Sequence, residues 1–99
     1  MQAFSVDQGL PEDFVVRVER EIHSRQFEDI ASIRLKGDTL VVVFSWMGTT
    51  SLIYRVRVEG GGFTAELERT KVSPFHAPFK AGFEERFDHI LAKVGARSL

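Results

Sequence analysis

"ASIRLKGDTLVVVFSW", Ala31 to Trp46, decides how this chain folds. Its first six residues alternate apolar and polar, the pattern of a strand with one buried face. Gly37-Asp38 then supplies a two-residue hairpin turn, since both residues tolerate the backbone such turns require. "TLVVVFSW" follows as a second strand, rich in β-branched and aromatic side chains. The short turn fixes the register, with Leu35 facing Leu40 and Ile33 facing Val42.

Working outward, the chain turns again around Met47-Gly48-Thr49 into "TSLIYRVRV", and a third time at "EGGG" into "FTAELERTK". An odd-length loop around Gly48 pairs Phe44 with Leu52 and Val42 with Tyr54. A four-residue loop from Glu59 to Gly62 pairs Val56 with Ala65 and Tyr54 with Leu67. The three registers agree on one face: Ile33, Leu35, Leu40, Val42, Phe44, Leu52, Tyr54, Val56, Phe63, Ala65 and Leu67. A slip of one residue in any hairpin would scatter that set across both faces. The stretch therefore predicts a four-stranded antiparallel meander.

Helices flank it. Pro11 suits a first helical turn, Glu12 and Asp13 complement the dipole there, and Phe14, Val15, Val18 and Ile22 share one side. This predicts a helix from Pro11 to Arg25. A second begins near Pro78 and ends by Gly95, with Phe79, Phe83, Phe87, Ile90, Leu91 and Val94 on its apolar side. Phe75 is expected to pack down as a staple where that helix starts. Both helices should cover the apolar sheet face, giving an α+β two-layer sandwich in the order α-β-β-β-β-α. Residues 1–99 form a single domain, with 1–9 as an N-terminal arm and 96–99 as a frayed tail. "AFSV", Ala3 to Val6, is a candidate short edge strand.

Composition narrows the function. The chain has 99 residues, 13 basic and 14 acidic side chains, and a formal charge of −1. That balance argues against general affinity for nucleic acid or for anionic membrane. With no cysteine, thiol chemistry and zinc–thiolate sites are excluded, and a cytoplasmic setting is expected. No phosphate loop, G-x-S-x-G or H-E-x-x-H occurs.

Two segments resemble each other: "EREIH", Glu19 to His23, and "ERFDH", Glu85 to His89. Each sets a glutamate four residues before a histidine. On the second helix both side chains point away from the apolar side, so they are read as a surface pair rather than metal ligands. His76, in "SPFHAPF", is expected to bond local backbone. No catalytic residue, metal or cofactor is assigned.

The remaining sheet face is more informative. Its middle holds Val41, Val43 and Ile53, with Arg34, Arg55, Glu66 and Glu68 around them, the layout of a small interface. Glu66 and Glu68 should neutralise the arginines Arg34, Arg55 and Arg57 across the strands. Met47, next to Trp46 at the second turn, is a further anchor for a partner. Trp46 shares the parity of Phe44 and is expected to close the end of the core. The sequence thus points to a small non-catalytic protein-binding or adaptor domain that self-associates through its open sheet face. It would be a homodimer or bind another protein, and bind neither nucleic acid nor membrane. The alternative is a small-molecule or metal-binding protein, or an enzyme, with a site between helices and sheet using His23, His76 or Tyr54.

Overall fold

The computed structural model describes residues 1–99. The chain runs β1 (Ala3–Val6), α1 (Pro11–Ser24), β2 (Ala31–Lys36), β3 (Thr39–Ser45), β4 (Thr49–Glu59), β5 (Gly62–Lys71), a 3-10 turn (Ala77–Phe79), α2 (Lys80–Lys93) and β6 (Ala96–Ser98). It is an α+β fold in which both helices pack on one side of an antiparallel sheet. The sheet has six strands in the order β2-β3-β4-β5-β1-β6. The expected meander is β2 to β5, and two further strands join it.

The added strands come from the two ends of the chain. Ala3–Val6 pairs on one side with β5 and on the other with β6, so it is an inner strand and not an edge. Phe4 is fully buried there, its ring among Phe14, Tyr54 and Phe63. The tail expected to fray is instead ordered: Gly95 reverses the chain at φ +106, and Ala96 pairs with Val6 and is buried. Without β6, the outer hydrogen-bonding groups of β1 would be left without strand partners.

The registers confirm the buried face and refine its pairing. Leu35 faces Leu40 and Ile33 faces Val42, as the Gly37-Asp38 turn requires. Val56 faces Ala65 and Tyr54 faces Leu67, also as expected, although Glu59 and Gly62 pair, leaving Gly60-Gly61 as the turn. The middle hairpin differs. It closes on Ser45 and Thr49, so its loop is Trp46-Met47-Gly48 and Val42 faces Leu52, not Tyr54. The centre lies on Met47 rather than Gly48, a shift of two in pairing. An even shift keeps every side chain on its face.

A second departure is a β-bulge between Ile53 and Tyr54 on one side and Leu67 to Arg69 on the other. Glu68 is the extra residue, and Arg69 takes the place opposite Ile53.

The core is continuous, with 21 buried apolar residues drawn from both helices and the strands. Helix α1 contributes Phe14, Val15, Val18 and Ile22, and α2 contributes Phe87, Ile90 and Leu91. The Tyr54 hydroxyl donates to the Met1 carbonyl at 2.7 Å. Burial, with the charges of Asp88 and Glu84, holds its phenol well above the usual tyrosine range. No helix is long and apolar enough to cross a membrane.

Candidate functional site

The β3–β4 hairpin and the segment before α2 meet at one end of the molecule and expose an apolar cluster. Trp46 is 44 % exposed, Met47 70 %, Phe75 65 % and Phe79 48 %. Trp46 and Phe79 sit edge to face with ring centres 5.3 Å apart, and Phe79 reaches Phe83 at 6.5 Å. A groove of about 300 Å³ runs beside them, lined by Pro78, Phe79, Gly82, Phe83 and Arg86. Single exposed apolar side chains are ordinary, but a contiguous cluster of Trp, Met and Phe has the composition of protein-binding hot spots.

Sequence reasoning placed Phe75 and Phe79 in the core, and the structure places both at the surface. The reason is where α2 begins. Pro78 sits in the 3-10 turn, and regular α-helix starts only at Lys80. The turn takes Phe79 off the apolar side that Phe87, Ile90 and Leu91 define, and Phe75, in the loop ahead of it, lies outside the helix altogether. Phe83 still reaches Phe44, stacked at 5.5 Å, so the aromatic series leaves the core gradually. Trp46 likewise covers Phe79 more than it closes the core.

A buried polar network holds the cluster in place. His76 is fully buried, with Thr50 and Ser73 beside it. A carbonyl can only accept, so His76 Nε2 donates to the Trp46 carbonyl, and Nδ1 accepts from the Thr50 hydroxyl at 2.7 Å. Thr50 Oγ1 in turn accepts the Ser73 N–H at 3.1 Å, and Ser73 Oγ accepts the Phe75 N–H at 3.3 Å. One imidazole thereby fastens the hairpin to the segment before α2. It bonds a backbone carbonyl, as expected, but one 30 residues away rather than a local one. No buried side-chain polar atom lacks a partner.

The hairpin carries conformational strain to make this arrangement. Met47 is in the left-handed region at φ +52. For a residue with a Cβ that costs about 1 kcal/mol. Gly48 follows at φ +140, and a Cβ there would collide with Ser73 Oγ.

The open sheet face holds the other expected site residues. Val41 and Ile53 are directly opposed, Val43 faces Ser51, and all three are half-buried on the side away from the helices. Arg34 lies beside Val41. Arg55 is engaged by both Glu68, at 3.1 Å, and Asp38, at 3.0 Å. The hydrogen bond it donates to Glu68 and the charge of Asp38 raise its guanidinium above the ordinary arginine range. The neutralisation expected here forms in part: Glu68 pairs with Arg55 and Glu66 stands opposite Arg55, while Arg57 approaches Glu59 and Arg34 has no ion-pair partner. Glu68 is the bulged residue and turns to Arg55, leaving Arg69 opposite Ile53 and Lys71 opposite Ser51.

The histidines do not converge. His23 lines a groove of about 460 Å³ along the edge of β2 with Glu19, Ile22 and Glu28, and approaches Glu28 at 3.5 Å. Tyr54, His23 and His76 each have separate partners. Glu85 and His89 are both exposed and make no ion pair; the i,i+4 pairs that form are Glu21–Arg25 and Lys80–Glu84. No three acidic or histidine side chains gather as a metal ligand set.

Comparison with protein-family models, with curated proteins and with solved structures finds no match to this chain.

Proposed function

We propose that this chain is a non-catalytic protein-binding domain whose contact surface is the hydrophobic end formed by Trp46, Met47, Phe75 and Phe79. The carrying observation is the exposure of that cluster on a hairpin strained at Met47 and fastened by buried His76. The occupant is an apolar segment of a partner protein, with one side chain in the Phe79–Phe83 groove and a neighbouring carboxylate on Arg86. Arg86 lies 3.9 Å over the Phe27 ring and has no ion-pair partner, so it can take one. The lack of cysteine supports a cytoplasmic setting for that encounter.

Purification of the tagged chain from its cell of origin tests this. The native chain is compared with a Met47→Ser, Phe75→Ser double variant, both sites being exposed enough to leave the fold intact. A partner retained at a fixed ratio by the native chain and lost by the variant is the expected result. Equal retention by both would move the contact elsewhere. Flotation of the native chain with phosphatidylcholine–phosphatidylserine vesicles, abolished in the same variant, would reassign the cluster to lipid.

A further inference from the structure

We infer that the open sheet face docks an acidic surface of a partner protein and is not the seam of a homodimer. This rests on residues separate from the hydrophobic end. The middle of the face is the Val41–Ile53 pair, with Val43 one rung nearer the hairpin. Around it the registers set Arg34 beside Val41, Lys36 beside Thr39, Arg69 beside Ile53 and Lys71 beside Ser51. All four cations are exposed, and none takes part in an ion pair. The carboxylates nearest them in sequence, Asp38 and Glu68, are both held by Arg55. The bulge at Glu68 sets Arg69 on the rim in its place; Glu66, exposed opposite Arg55, is the free carboxylate left there against four free cations, so the rim is basic on balance.

Charge selects the occupant. A second copy would bring the same four cations against the first around a drying centre, where like charges repel more strongly than in water. Single-stranded nucleic acid would need rings to stack on, and Phe44, Tyr54 and Phe63 all face the core instead. An acidic protein surface with an apolar middle matches both the dry centre and the basic rim.

The test follows the methyl resonances of Val41, Val43 and Ile53 in the whole chain. The probes are a short peptide of alternating aspartate and leucine, its lysine–leucine counterpart, and a short oligothymidylate. The aspartate peptide should move all three methyls and weaken as salt is added. The double variant Arg34→Glu, Arg69→Glu should lower its affinity roughly tenfold or more. The lysine peptide should leave the methyls in place, and light scattering should report a monomer. The inference is overturned by methyls that do not respond to the aspartate peptide, or by an equal response to the lysine peptide or the oligothymidylate. A dimer that Val43→Lys dissociates would overturn it as well.

Discussion

Two turns of the same meander do the same mechanical task with opposite residues. The β2–β3 turn uses Gly37 at φ +61 and Asp38, which stays polar and accepts from Arg55. A Cβ at Gly37 would meet nothing, and the contacts that hold this turn, from Arg55 and the Val56 N–H to Asp38, come from the adjacent strand at the surface rather than from a buried side chain. The β3–β4 turn uses Trp46 and Met47, neither suited to a hairpin loop, and sets Met47 at positive φ. It then needs a buried histidine from 30 residues away to hold it. A turn selected only to reverse the chain would resemble the first. The second gives up stability to present large apolar side chains to water, and that difference is the physical basis for reading it as a contact surface.

The largest expected effect comes from removing the brace. His76→Ala leaves the Trp46 carbonyl and the Thr50 hydroxyl without their partner and opens a cavity. A loss of about 3 kcal/mol is expected in urea unfolding. Because Trp46 is the only tryptophan, its emission should shift to the red in the folded variant. A change under about 0.5 kcal/mol would mean that the second turn holds itself and the contrast is false.

Alanine at the two turn glycines sharpens the contrast. Gly48→Ala meets both a positive φ and a clash with Ser73, so about 2 kcal/mol or more should be lost. Gly37→Ala meets only the positive φ, in open space, and should lose about 1 kcal/mol. Equal losses would show that the packing of the second turn against Ser73 carries no energy.

The smallest effect has the opposite sign. Met47→Asn replaces a residue ill suited to the left-handed region with one that tolerates it. A gain of about 0.5 kcal/mol is expected, together with weaker partner binding. A stabilised variant that binds as well as the native chain would separate the strain from the contact.

Much of this molecule was legible in its sequence. The alternation of Ile33, Leu35, Leu40, Val42 and Phe44, with the Gly37-Asp38 turn, settles which side of the sheet is buried. That reading survived an error in the β3–β4 pairing because the error was an even number of residues. Three features were not legible. Phe4 sits deep in the core on a strand of four residues, too short to announce its partners, and its pairing with Ala96–Ser98 joins opposite ends of the chain. The bulge at Glu68 has no glycine or proline to mark it, and it alone decides that Arg69 rather than Glu68 stands beside Ile53. Phe75 and Phe79 continue the four-residue spacing of Phe83 and Phe87, so periodicity assigns them to the core. Pro78 is the available signal: it permits a first helical turn but equally a 3-10 turn, and the latter delays the helix to Lys80, leaving Phe79 turned outward and Phe75 in the loop before it.

The central claim is that the second turn is a contact surface and the first is only a turn. A photo-reactive residue placed at Met47 or Phe75 in the cell of origin, with Asp38 as the control position, tests it most directly. The account predicts one discrete adduct from Met47 and Phe75, competed away by untagged native chain but not by the Met47→Ser, Phe75→Ser variant, and not that adduct from Asp38. The same adducts from all three positions, or none from any, would contradict it.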